Sequence, residues 1–106
     1  MKIELLKNVP LFSSLDENKL EKLAHVVYLQ KLNKDVIIFL EDEPGTKLFV
    51  IKKGSVKISR ISYEGKEVIL SILKEGDSFG EMSLLTGEKR SANVTSIENA
   101  ELLILN

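Results

Sequence analysis

Four of the six glycines stand at a constant interval, and this interval constrains the fold more than any other feature. Gly54, Gly65, Gly76 and Gly87 follow one another every 11 residues, each between two apolar segments. Short β-strands joined by glycine-containing turns produce such spacing in all-β barrels and double-sheet jelly rolls. The intervening segments share no repeated sequence, so the interval reflects strand length. The spacing therefore predicts a mainly β fold.

The segments around these glycines have the composition of strands. Val36–Leu40 is a dense run of β-prone residues that we expect to be buried on both sides. Glu41–Thr46 consists of turn-forming residues. Beyond Gly54, apolar residues alternate with polar ones, as in strands with one exposed face. The other predicted strands lie at Val27–Leu32, Leu48–Ile51, Val56–Ile61, Val68–Ile72, Ala92–Ser96 and Leu102–Leu105.

A helical segment precedes the strands. Ser14 and Glu17 have the spacing of a capping box, and the apolar residues beyond them fall on one helical face. The pattern predicts a helix from about Leu15 to Ala24 or His25, and a weaker pattern predicts a short helix over 2–7. The residues that carry these predictions are Ile3, Leu5 and Leu6, the break at Asn8–Pro10, the anchors Leu11 and Phe12, and the helical face Leu20, Leu23, Ala24 and Val27.

Length and charge restrict the organisation of the chain. Its 106 residues suffice for one domain with one core but not for two. We expect a single domain, with a helical segment over 1–25 and a β-barrel over 26–106. The net charge of -1 gives no electrostatic patch for nucleic acid. The longest apolar run is too short to span a membrane, and the N-terminus lacks a signal-peptide pattern, so we expect a cytoplasmic protein.

The residue types argue against catalysis and against metals. The chain has no cysteine and only one histidine, His25. Disulfides, cysteine-ligated zinc and iron–sulfur clusters are thereby excluded. A Ser-His-Asp triad would need His25, which no motif supports. A jelly-roll enzyme of the cupin type would need several histidine and carboxylate ligands. We therefore expect no catalytic residue, no metal and no cofactor.

The stretch Asp77–Val94 is the best candidate for a site. Phe79, Gly80 and Glu81 form a glycine-containing turn, after which the apolar run 82–85 suits a short helix that ends at 86–87. Backbone N–H groups at a helix start, together with Arg90 and Ser91, suit a small anion such as a phosphate. Glu81 fits this picture only when the ligand also carries hydroxyl groups. A phosphate joined to a sugar has both.

Phe79–Leu85 followed by Arg90–Val94 resembles the phosphate-binding cassette of cyclic nucleotide-binding domains, the family of the bacterial catabolite activator protein and of the regulatory subunits of cAMP-dependent protein kinase. Val9–Phe12 with the helix beyond it, Leu48–Val56 and Gly76–Gly80 also resemble the family in order and spacing. The resemblance covers nearly all 106 residues. It implies a double-stranded β-helix, or jelly-roll barrel, with an N-terminal helix and a short helix inside the cassette 79–94.

The resemblance also implies a role for individual residues. Glu81 would accept a hydrogen bond from the ribose 2′-hydroxyl, and Arg90 would pair with the cyclic phosphate beside Ser91. Backbone N–H groups of the cassette would complete the anion site, and apolar residues would line the nucleotide. The expected ligand-binding set is Gly80, Glu81, Met82, Ser83, Arg90, Ser91, Ala92, Ile58 and Leu70.

Each assignment has a simpler alternative. Arg90 could pair with Glu81 or Glu88 on the surface, and Glu81 could merely interact with a helix N-terminus. Ser91 could be an ordinary strand residue. The basic residues Lys52, Lys53, Lys57 and Arg60 are interpreted as a solvated face, because they follow strand alternation.

The expected function is that of a non-enzymatic sensor. It would bind a cyclic nucleotide, with cAMP favoured over cGMP, and relay occupancy to an effector outside this chain, such as a transcription regulator. The chain ends at Asn106 without the long helix and helix-turn-helix of the bacterial regulators, so we expect no direct DNA contact, an open base side, and an undetermined dimer state. The alternative is an interaction or dimerisation module that has the fold but senses another small anion or none.

Overall fold

A computed structural model describes residues 2–7, 9 and 12–105. The predicted break at Asn8–Pro10 and the anchor Leu11 lie largely outside the described residues, as do the side chains of Ile3 and Leu5. The elements in chain order are α1 (Lys2–Lys7), α2 (Glu17–Val26), β1 (Tyr28–Leu32), β2 (Ile37–Phe39), β3 (Leu48–Lys53), β4 (Ser55–Ile61), β5 (Glu67–Lys74), β6 (Ser78–Phe79), α3 (Glu81–Thr86), β7 (Asn93–Ser96) and β8 (Ala100–Leu105).

The strands form two four-stranded antiparallel sheets. The first has the order β1-β8-β3-β6 and the second the order β2-β7-β4-β5. Except for the consecutive pair β4 and β5, neighbours in each sheet are not consecutive in sequence, as is typical of a jelly roll. β8, for example, pairs with β1 through Tyr28 and Ile104 and with β3 through Ile51 and Leu102. The prediction of a mainly β fold with an N-terminal helical segment is confirmed.

Strands β3 and β8 are buried on both faces, because side chains alternate between two cores. The inner core lies between the sheets, whereas the outer core lies between the first sheet and the N-terminal helices. The inner core contains Phe49, Ile51, Val56, Phe79, Val94, Leu102 and Ile104. The outer core contains Leu6, Val9, Phe12, Leu20, Val27, Leu48, Val50 and Leu103. The helices therefore cover apolar surface that the first sheet would otherwise expose.

The predicted start of the second helix is wrong. The helix begins at Glu17, and its N-cap is Asp16, whose carboxylate accepts a 2.9 Å hydrogen bond from the backbone N–H of Lys19. Asp16 has extended backbone geometry, as an N-cap requires, and its carboxylate takes the place of the predicted Ser14 capping box. The predicted apolar face is confirmed, since Leu20 is buried and its neighbours on that face pack against the outer core.

The burial predicted for two strands is also wrong. Val36–Leu40 is not buried on both sides, because β2 is an edge strand of the second sheet and Ile37 is 57% exposed. β5 is the other edge strand, and the alternation expected over Val68–Ile72 is absent, since its apolar residues on both faces are exposed. Edge strands have a neighbour on one side only, which leaves them less covered than their sequences indicate.

The turns occur where the glycine interval predicts them. All four regularly spaced glycines have a positive φ. At Gly54, where φ is 89°, an added Cβ would also lie 2.5 Å from the Asn99 carbonyl oxygen, so both conformation and space require glycine between β3 and β4. Within the described residues, no helix is long and apolar enough to cross a membrane.

Candidate functional site

A cavity of about 290 Å³ opens between the cassette and the inner face of the second sheet. Its apolar wall comes from strands and its polar wall from residues around α3 and before β7. Residues that define it include Phe39, Ile58, Leu73, Glu81, Arg90 and Ala92. The volume is at the lower end of the range for small-molecule sites, about 300–1,000 Å³.

Glycines delimit the short helix of the cassette. Gly80 precedes α3 with φ of 90°, and Gly87 follows it with φ of 74° and donates its N–H to the Ser83 carbonyl oxygen at 2.9 Å. Glycine adopts this left-handed conformation without the strain that a side chain would cause. The predicted end of the helix at Thr86 is thus confirmed.

Arg90 is the most enclosed polar residue of the cavity. Its side chain is 4% exposed, and its Nη1 and Nη2 donate hydrogen bonds of 2.9 Å to the carbonyl oxygens of Gly80 and Lys47. The guanidinium carbon lies 4.2 Å from the ring centroid of Phe39 and 5.8 Å from that of Phe49. Nε is buried and has no hydrogen-bond acceptor within the described part of the chain. Backbone carbonyls and aromatic rings therefore fix the cation without neutralising it.

The electrostatics of Arg90 reflect this enclosure. Burial lowers the pKa of its guanidinium, and the carboxylates of Glu43 and Glu81 act in the opposite direction. An arginine nevertheless remains protonated at neutral pH. The site thus holds a permanent positive charge with little solvent around it, where an anionic ligand would interact strongly.

Glu81 supplies the opposite charge at the start of α3. Its Oε2 atom is buried and has no donor among the described residues. The ion pairs that those residues form are Lys7–Glu17, Lys52–Glu101 and Lys57–Glu67, so neither Glu81 nor Glu88 pairs directly with Arg90. The described residues therefore do not form the surface ion pair that was the alternative interpretation of Arg90.

Most of the predicted site residues lie together. Of the nine, eight line the cavity: Ile58, Gly80, Glu81, Met82, Ser83, Arg90, Ser91 and Ala92. Leu70 does not line it and is 53% exposed. The pairing of β4 with β5 changes register between Ile58 and Ser59, and Leu70 is the extra residue of the resulting bulge. Leu73, further along β5, lines the cavity instead.

Several residues around Arg90 were not predicted. Phe39 lies beside its guanidinium, Lys47 accepts one of its hydrogen bonds, and Gly45 lies against it. All three lie between the end of β2 and the start of β3, Phe39 being the last residue of β2, and the sequence identifies this region only as strand and turn. No local pattern connects this region with Arg90, which follows more than 40 residues later, so only the fold reveals the contact.

The basic run Lys52, Lys53, Lys57 and Arg60 does not form a uniformly solvated face. Lys57 is half-buried and pairs with Glu67 at 2.9 Å, and Lys52 lies 3.8 Å from Glu101. Arg60 is exposed, but its Nε donates a 2.8 Å hydrogen bond to the Ser91 carbonyl oxygen. One member of the run therefore supports the backbone of the cassette. Within the described chain, no group of three potential ligand residues is arranged to hold a metal ion.

A sequence profile described as "Cyclic nucleotide-binding domain" matches residues 29–106, which is most of the chain. The chain belongs to the cyclic nucleotide-binding domain family. The human "cGMP-dependent protein kinase 2" is 34% identical over 96 residues, which cover 89% of this chain and 12% of that protein. The "Cyclic AMP receptor protein" of Thermus thermophilus is 32% identical over 100 residues, which cover 94% of this chain and 46% of that protein.

The fold of this cyclic nucleotide-binding domain is also found in solved structures. The regulatory domain of Toxoplasma gondii PKA, crystallised with cAMP, has a TM-score of 0.95 at 28% identity. The match covers 99% of this chain and 40% of that chain. This match and the two sheets confirm the predicted jelly roll. The chain spans less than half the length of these relatives. The family assignment makes it a regulatory ligand-binding domain rather than a catalytic one.

Proposed function

We propose that this domain binds a cyclic nucleotide in the cavity beside the cassette. The observation that carries the proposal is a pair of buried, unpaired polar atoms: Arg90 Nε, a donor, and Glu81 Oε2, an acceptor. Both residues line the same cavity. Leaving a buried polar atom unpaired costs about 1–3 kcal/mol, and more for a charged group. A ligand with an anion at one end and a hydroxyl at the other would supply partners to both residues.

The cassette residues then have distinct roles. Arg90, through the N–H groups not engaged by carbonyl oxygens, would bind the cyclic phosphate, with Ser91 beside it. Glu81 would accept a hydrogen bond from the ribose 2′-hydroxyl. Backbone N–H groups at Gly80 and Ser83 would approach the sugar and phosphate. Met82, Ile58 and Ala92 would provide apolar contacts, and the exposed Leu70 is left out of this assignment.

The proposal favours cAMP over cGMP. Support comes from the Thermus relative, named for cyclic AMP, and from the Toxoplasma regulatory domain crystallised with cAMP. The human cGMP-dependent kinase is as similar in sequence, so the two nucleotides are to be compared directly. The lining of the cavity away from Arg90 is mainly apolar and offers few groups to distinguish the purines.

We further propose that occupancy reaches the N-terminal helices through β3. Arg90 Nη2 donates a hydrogen bond to the carbonyl oxygen of Lys47, and the next residue, Leu48, belongs to the same outer core as Leu20 of α2. A ligand that draws Arg90 towards the cavity would alter this contact and shift the population of helix placements. We propose that the effector is a transcription regulator in the cytoplasm, outside this chain. In that role the protein could act as a homodimer.

Calorimetric titration of the purified domain with cAMP and with cGMP tests the proposal. We expect one saturable site for cAMP, weaker binding of cGMP, and an increase in melting temperature with either ligand. 5′-AMP, which has the same base and sugar but an open phosphate, serves as the matched control and should bind more weakly than cAMP. No heat and no thermal shift at millimolar cAMP or cGMP would refute nucleotide binding and favour the interaction-module alternative.

A further inference from the structure

We infer that Gly45 is a positioning residue of the anion site, because its missing side chain leaves the space that the Arg90 guanidinium occupies. A Cβ added at Gly45 would lie 1.9 Å from Arg90 Nε, 2.2 Å from Cζ and 2.5 Å from Nη2. Non-bonded atoms cannot approach so closely, so an arginine in this position and a side chain at residue 45 exclude one another.

Space, and not backbone conformation, requires glycine at this position. The other five glycines have a positive φ, which disfavours any side chain, whereas Gly45 does not. Alanine at 45 therefore introduces no backbone strain. Gly80 differs in this respect, because an added Cβ would lie 2.9 Å from Arg90 Nη1 and would also suffer from a φ of 90°. Only at Gly45 does a single methyl group isolate the contact with the guanidinium.

The loop that carries Gly45 is held firmly against the cassette. The backbone N–H of Asp42 donates to the Arg90 carbonyl oxygen, and the backbone N–H of Arg90 donates to the Glu43 carbonyl oxygen, each at 2.8 Å. The N–H of Glu41 donates to Asn93 Oδ1 at 2.7 Å. Because these bonds resist movement of the backbone, a new side chain at 45 would displace the flexible end of Arg90 instead. The fold would persist while the cation left its carbonyl acceptors.

A double-mutant cycle with Gly45→Ala and Arg90→Ala tests this inference. The affinity measurements in this cycle rest on the proposed nucleotide binding. In the parent background, Gly45→Ala should weaken cAMP binding about tenfold to a hundredfold, the equivalent of one charge-assisted hydrogen bond. In the Arg90→Ala background it should change the affinity less than about twofold, because the group it displaces is gone. Thr46→Ala, an exposed residue of the same loop, is the matched control and should bind as the parent does.

Thermal unfolding of the same four proteins gives a readout that needs no ligand. Gly45→Ala should lower the melting temperature of the parent and should not lower that of the Arg90→Ala variant, where the methyl group has room. The inference would be overturned if Gly45→Ala changed affinity or melting temperature equally in both backgrounds. It would also be overturned if the Gly45→Ala variant had the affinity and melting temperature of the parent. A parent that binds no cAMP would refute the proposed function, and the unfolding cycle would still decide the role of Gly45.

Discussion

The two ends of the cavity differ in how firmly the chain defines them. At the anion end, Arg90 is held by carbonyl oxygens from two separate segments and packed against two aromatic rings. At the other end, apolar residues such as Ile58 and Leu73 form the wall, and β5 is an exposed edge strand. The chain therefore defines the anion end of the cavity more precisely than the apolar end.

The largest expected effect is at the anion end. Substituting Arg90 with alanine removes the partner of a desolvated anion, which costs about 3–5 kcal/mol, or about two to three and a half decades in Kd. Calorimetry with cAMP measures the change. Lys89→Ala removes the same charge from an exposed neighbour and should leave Kd nearly unchanged. Equal losses in the two variants would mean that general electrostatic attraction, rather than a built site, binds the nucleotide.

Glu81→Ala should have the next largest effect. It removes one charge-assisted hydrogen bond, for which about 1.5–3 kcal/mol is expected, or about one to two decades in Kd. Glu88→Ala, which removes an exposed carboxylate just beyond the same helix, is the matched control. Tighter cAMP binding by Glu81→Ala would indicate that the carboxylate repels the phosphate rather than binding the ribose.

Smaller effects are expected at the apolar end. Ile58→Ala should weaken cAMP binding by about 1 kcal/mol, roughly fivefold, because part of an apolar contact is lost. Leu70→Ala should change the affinity less than about twofold, since Leu70 does not line the cavity. Because Ile58 also packs on the inner core, unfolding is to be measured beside affinity. A larger loss at Leu70 than at Ile58 would show that β5 closes over the ligand.

The smallest effect is expected far from the cavity, at the ion pair that joins α1 to α2. Lys7 Nζ lies 2.7 Å from Glu17 Oε1, and this contact lowers the pKa of Glu17 and raises that of Lys7. The Glu17 contribution to stability is present above its ordinary pKa of 4.5 and is lost as pH falls through the lowered value. The Lys7 contribution is present below 10.5 and is lost as pH rises through the raised value.

Glu17→Gln should therefore lower the melting temperature slightly at neutral pH. The difference from the parent should vanish in acid and shrink in high salt, because the pair is exposed. Affinity for cAMP should stay unchanged. A difference that grew as pH fell would contradict the assignment of this pair.

The fold could be predicted from the sequence because the patterns that indicate it are local. The glycine interval reflects strand length, and the cassette residues from Gly80 to Ala92 are close in the chain. The burial of strands could not be predicted where it depends on neighbouring strands. β2 and β5 lie at sheet edges, so runs such as Val36–Leu40 are less buried than their composition indicates. A register change moved Leu70 away from the cavity. Gly45 and Lys47 reach Arg90 only through folding, across more than 40 residues.

We propose that a single ligand connects Glu81 and Arg90, its hydroxyl bound to Glu81 and its phosphate bound to Arg90. The most direct test is calorimetric titration of the parent and of Glu81→Ala with both cAMP and 2′-deoxy-cAMP. We expect the parent to lose about the same affinity when the hydroxyl is removed as when Glu81 is removed. We also expect that Glu81→Ala no longer distinguishes the two nucleotides. Equal binding of both nucleotides by the parent, or an equal loss for both on substitution of Glu81, would contradict it.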